Sequence, residues 1–161
     1  MSRGRTERME LLAALEREMR KASAQGVLYG QAVAERLGVN SSDLECLDIV
    51  ILRGPVTAGE LALATGLTTG AITGVIDRLE RAGYARREPD ANDRRKVRVL
   101  PLPGVERRMQ PLFEPMQRGF AAVLARYSDR DLKLLLDFIT RAHAAAIEAT
   151  EALRAKANGR R

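Results

Sequence analysis

The chain has 161 residues, enough for one well-buried domain and too few for two ordinary ones. Its 27 Lys and Arg outnumber 21 Asp and Glu, a net charge of +6 that fits a polyanionic partner, while 4% aromatics argue against stacking on unpaired bases. No run nears the ~20 apolar residues of a membrane span, the N-terminus lacks the apolar core of a secretion signal, and one cysteine fits a reducing cytoplasm.

Residues 6–37 read as a helix with Met9, Leu12, Leu15 and Met19 on one stripe, and with Gly26 and Gly30 as the expected points of interruption or bending. Asn40-Ser-Ser-Asp43 offers N-cap chemistry for a second helix to about Leu52, with Leu44, Leu47 and Ile51 facing inward. Gly54-Pro55 ends that helix and Thr57 caps the next. Leu61, Ala62 and Leu67 then form the inner face of two short helices, with Gly66 at the sharp turn between them. Thr68 caps the second of these, Thr69–Arg81, which buries Ile72, Val75, Ile76 and Leu79 at i, i+3, i+4, i+7 spacing, and Gly83 ends it.

Tyr84 to Leu100 reads as strand, turn, strand, with Pro89 to Asp93 at the tip and six cations between Arg86 and Arg98. Pro101 and Pro103 stop the returning strand. A helix follows from about Gly104 to Tyr127, with Pro111 and Pro115 as expected bends. Ser128-Asp-Arg-Asp opens a last helix striped by Leu132, Leu135, Leu136, Ile139, His143 and Ile147. The expected fold class is mainly α with a small β-hairpin. A winged helix–turn–helix DNA-binding lobe spans about 41–102, and a helical dimerisation lobe comes from about 6–37 and 104–157, all within one domain of residues 1–161. Stripes of that length need a partner, either within the chain or in a second copy of it.

A helix–turn–helix with a cationic wing is a device for gripping duplex DNA. The outer side of Thr69–Arg81 carries Thr69, Gly70, Thr73, Gly74, Asp77, Arg78 and Arg81, a face without Asn, Gln or Lys. Gly70 and Gly74 serve either close helix packing or deep seating of bare backbone in the major groove. In the second case Thr68, Thr69 and Thr73 lie near base edges, thymine methyls and phosphates. With few bidentate readers, much of the specificity falls to the wing and to DNA shape. Arg94 is the candidate for a narrow minor groove, Asp93 for orienting it, and Arg86, Arg95, Lys96 and Arg98 for phosphates. Asp77 and Glu80 would repel phosphate unless paired with Arg78, Arg81 or a wing arginine.

Asp43-Leu-Glu-Cys-Leu-Asp48, Glu60-Leu-Ala62, Asp77-Arg-Leu-Glu-Arg-Ala-Gly-Tyr84 and Asp90-Ala-Asn-Asp-Arg-Arg95 together resemble the MarR family of winged-helix transcriptional regulators, over nearly the whole chain. The resemblance implies a homodimer on a palindromic operator, most often a repressor, released or retained by a small aromatic or lipophilic effector or by a redox signal. It places the effector in a crevice for which Leu28, Tyr29, Leu47, Ile51, Met109 and Phe113 are candidate lining residues, each equally explicable as core. Cys46 is either a buried structural thiol or a redox sensor, and no cationic neighbour is evident beside it in sequence. His143 reads as a core or dimer-interface residue. One His and one Cys make no metal cage. No Gly-rich phosphate loop or catalytic trio suggests an enzyme, and no cofactor is implied. The competing reading is an architectural or weakly specific DNA-binding protein without an effector.

Overall fold

Capping side chains set where the helices begin. The computed structural model describes residues 3–90, 93 and 96–158. The elements run α1 (Arg3–Leu37), α2 (Ser41–Arg53), β1 (Val56–Thr57), α3 (Ala58–Thr65), α4 (Thr69–Arg81), β2 (Ala85–Pro89), β3 (Val97–Pro101), α5 (Val105–Leu124) and α6 (Asp129–Asn158). Asn40 and Asp43 close α2 with a reciprocal capping box, and Thr57 and Glu60 do the same for α3. Ser128 and Asp131 exchange the equivalent bonds at the start of α6.

Several expectations change. α1 runs unbroken through Gly26 and Gly30, because a glycine costs only ~1 kcal/mol of helix stability, too little to split a helix of 35 residues. α5, by contrast, runs as one helix across Pro111 and Pro115, as expected. Both prolines are exposed, so water can serve the carbonyls that their rings leave without donors. β1 was not evident in sequence: two residues are too short for any periodicity to register.

The chain divides into two compact units, one ending at Glu106 and the other beginning at Arg107. In the first, Leu44, Cys46, Leu47 and Val50 of α2 are buried with Leu61 of α3, Ile72, Val75, Ile76 and Leu79 of α4, and Val99 of β3. Each large aliphatic side chain fully buried there contributes about 1.5–3 kcal/mol. The antiparallel sheet has the order β1-β3-β2, with Val56 opposite Val99 and Arg87 opposite Val99 on the other side. The wing is thus attached at its base to the segment that precedes α3. Tyr84 is buried and donates its hydroxyl to the Leu37 carbonyl at 2.9 Å, joining the start of the wing to the end of α1.

The second unit holds most of α5 and all of α6. Its apolar residues are largely exposed in the single chain, among them Phe120, Val123, Leu136, Ile139 and Ile147. His143, expected in a core or between copies, is exposed as well. On α1, Met9, Leu12, Leu15 and Met19 are also exposed.

Candidate nucleic-acid interface

The axes of α3 and α4 meet at 111°, within the range of a helix–turn–helix. Gly66 makes the turn with a left-handed φ of 75°. Thr68 opens α4 by accepting from the Ala71 N–H at 3.2 Å. The helix closes with a Schellman arrangement: Gly83, at φ 72°, donates to the Glu80 carbonyl and Tyr84 donates to that of Leu79. Four apolar residues lock the inner side, so Thr69, Gly70, Thr73 and Arg81 are left exposed on the outer side. The Thr73 hydroxyl donates to the Thr69 carbonyl at 3.0 Å, which leaves its oxygen lone pairs available to accept.

The two glycines of this face differ. A Cβ on Gly70 would meet nothing within 4 Å, so no packing inside the chain calls for glycine there. A Cβ on Gly74 would lie 3.4 Å from Nη1 of Arg78, an ordinary contact. Gly74 thus has a side chain beside it, and Gly70 does not.

Arg78, expected on the duplex, is committed in large part to Asp43. Nε lies 3.1 and 2.9 Å from the two carboxylate oxygens, and Nη2 lies 2.7 Å from the first. Asp43 is 1% exposed. A carboxylate so buried requires a cation, and Arg78 supplies it from another helix. Thirty-five positions separate the two in sequence, so no local pattern links them.

Arg87, absent from the candidates drawn from sequence, joins the wing to α4. Its Nη2 lies 2.6 Å from Asp77, its Nη1 pairs with Glu80, and its backbone N–H donates to Glu80 at 2.8 Å. Here is the wing arginine expected to neutralise Asp77 and Glu80. The only sequence signal for it was that two acids on a DNA-facing helix need partners.

Arg98, expected at phosphates, serves the wing itself. It pairs with Asp90 and donates to the Pro55 carbonyl at 2.8 Å. The hydrogen bond with Asp90, and then its charge, push the arginine pKa up. Asp90 also accepts from the Asp93 N–H at 3.0 Å, and the Asp93 carbonyl accepts from Lys96 at 2.8 Å. Arg86 lies 2.7 Å from Glu88 with much of its side chain in solvent, and Lys96 is exposed. Arg94 and Arg95 lie outside the described residues, and so does any contact of Asp93 with Arg94.

Cys46 is fully buried, and burial foremost, then the Asp43 and Glu45 carboxylates, pushes its thiol up to about 11. Such a thiol carries almost no thiolate near neutral pH, contrary to what a sensor needs. Of the candidate effector residues, Leu47 and Met109 are buried, Tyr29, Ile51 and Phe113 half-buried, and Leu28 exposed.

A bent helix pair, a tethered cationic hairpin and an outer helix face of threonine and glycine define a winged helix–turn–helix DNA-binding protein. The sequence profile of the MarR family matches residues 37–96. The HTH-type transcriptional regulator YcgE of Bacillus subtilis (strain 168) is 40% identical over 138 residues, 86% of this chain and 90% of the relative. The chain belongs to the MarR family of transcriptional regulators. Among solved structures, a MarR family protein from Bacillus stearothermophilus superposes with a TM-score of 0.67 at 25% identity, covering 86% of this chain and 97% of that one. Apo MarR from E. coli shares the fold, with a TM-score of 0.58 at 18% identity over 80% of this chain and 95% of its own. No single helix among the described residues is long and apolar enough to cross a membrane.

Proposed function

We propose that this protein is a homodimeric, cytoplasmic repressor that binds a palindromic operator and is modulated by a small aromatic or lipophilic effector. The observation that carries this reading is the outer face of α4: exposed threonines and an uncovered Gly70, with the wing fixed to the same helix through Arg87. Thr68, Thr69, Gly70, Thr73 and Arg81 serve the major groove in this reading. Arg86, Asp93, Arg94, Arg95 and Lys96 serve the wing's contacts with backbone and minor groove.

The apolar residues exposed on α1, α5 and α6 support dimerisation, because a monomer would leave them in water. Two heads then meet two half-sites about one helical turn apart. An effector acts to the extent that it binds two dimer geometries with different affinity.

The test is a duplex selected by the protein from a randomised library, compared with its scrambled counterpart at equal salt. A selected duplex with dyad symmetry, bound by a dimer and favoured at least a hundredfold, is the expected result; specific DNA-binding proteins favour their sites by roughly 10³ or more. A ratio near one would replace this reading with an architectural one.

A further inference from the structure

We propose that Asp43 presents Arg78 to the operator as a pre-aimed bidentate donor. The inference rests on α4 entering the major groove. A guanidinium has five N–H groups in a rigid plane. Asp43 occupies the edge formed by Nε and Nη2, through contacts of 3.1, 2.9 and 2.7 Å. The opposite edge keeps one N–H from each Nη nitrogen, side by side and parallel.

Three observations place that edge on the outer face. The Arg78 side chain is 42% exposed although its partner is 1% exposed, so the group bridges core and surface. Its Nη1 is 3.4 Å from the position of a Gly74 Cβ, and Gly74 lies on the side of α4 opposite Ile72, Val75, Ile76 and Leu79. Finally, Asp43 itself is held: its N–H donates to Asn40 Oδ1 at 2.8 Å, and the Asn40 N–H returns to Asp43 Oδ2 at 3.4 Å. A carboxylate pinned at the first turn of α2 fixes the plane of the arginine before any DNA arrives. Less orienting entropy is then lost on binding.

The matching acceptor is a pair of oxygens or an oxygen and a nitrogen side by side. Guanine O6 and N7 offer such a pair in the major groove, and so do two non-bridging oxygens of one phosphate. Asp43 is a positioning residue in this scheme and touches no DNA. A purely architectural ion pair would leave DNA affinity unchanged once the variant is folded.

The experiment uses the full-length protein and the duplex it selects from a randomised library. Affinities are measured by fluorescence anisotropy for Arg78→Lys and Asp43→Asn, each shown by circular dichroism to be folded at the assay temperature. Arg78→Lys keeps the charge but loses the parallel donors, and affinity for the selected duplex should fall about tenfold or more. Asp43→Asn should lose several-fold with the arginine still present. If guanine is the acceptor, 7-deazaguanine in the selected duplex weakens the wild type and leaves Arg78→Lys little changed. If phosphate is the acceptor, the variant loses equally on selected and scrambled duplexes. Folded Arg78→Lys binding with wild-type affinity overturns the inference alone. A wild type that enriches no duplex overturns the DNA reading beneath it. Should Asp43→Asn fail to fold, Arg78→Lys decides.

Discussion

α4 and α6 are both amphipathic, and in sequence their apolar residues recur at the same helical spacing. Their environments differ. On α4, Ile72, Ile76 and Leu79 are at most 1% exposed, whereas on α6 Leu136 is 68% and Ile139 60% exposed. Periodicity reports that a helix has an apolar side, not which molecule covers it. The winged head covers its own, whereas that of α6 is largely exposed.

Substitutions can break or sharpen this contrast. The largest effect is expected at Ile76→Ala, which should cost about 2–5 kcal/mol in urea unfolding, because the residue is 1% exposed. Ile139→Glu with Leu136→Glu should change little within one chain, yet if α6 carries the proposed dimer, sedimentation equilibrium should show monomers at concentrations where the wild type self-associates. A variant pair that stays dimeric would remove α6 from the association surface.

A smaller effect is expected at Arg87→Met. It leaves Asp77 and Glu80 without their cation on the side proposed to face DNA. The pairs are partly exposed, so stability should fall by only about 1 kcal/mol. DNA affinity should fall while the slope of log affinity against log salt holds, because no phosphate contact is removed. A shallower slope would mean that Arg87 touches the backbone itself.

The smallest effects concern Cys46 and Gly70. With its thiol held near 11 against an ordinary 9.0, Cys46 favours the fold while protonated, and that contribution is lost as pH rises from about 9 to about 11. Urea midpoints for wild type and Cys46→Ala should therefore converge between about pH 9 and about pH 11. Rapid alkylation of the native protein near neutral pH would contradict this and return the redox reading to consideration. Gly70→Ala should stabilise α4 by up to ~1 kcal/mol, since its Cβ meets open space. The same change should weaken operator binding if the helix seats on bare backbone there.

What was legible in the sequence was local. Asn40, Thr57, Thr68, Gly66 and Gly83 each act within four residues of themselves, so residue type and position sufficed to assign them. The stripe of α4 was legible for the same reason. The site was less so. Arg78 with Asp43, Arg87 with Asp77 and Glu80, and Arg98 with Pro55 depend on how helices and strands meet. Counting cations on the wing could not separate those that hold the head together from those left for DNA. The different surroundings of Gly70 and Gly74 were equally invisible, because they depend on where one arginine bends.

Thr57 is both the last residue of β1 and the N-cap of α3, and it faces Arg98 across the sheet. Its N–H and hydroxyl hold the Glu60 carboxylate, the N–H contributing most, and lower that acid's pKa. One position thus belongs to two grammars at once. A residue inserted just before it would slip the strand pairing and turn Val56 out of the core. A residue inserted just after it would pull the hydroxyl away from the helix it starts. Chimaeras that exchange wings between relatives should therefore be spliced outside residues 56–60, with that segment inherited whole from whichever parent supplies α3.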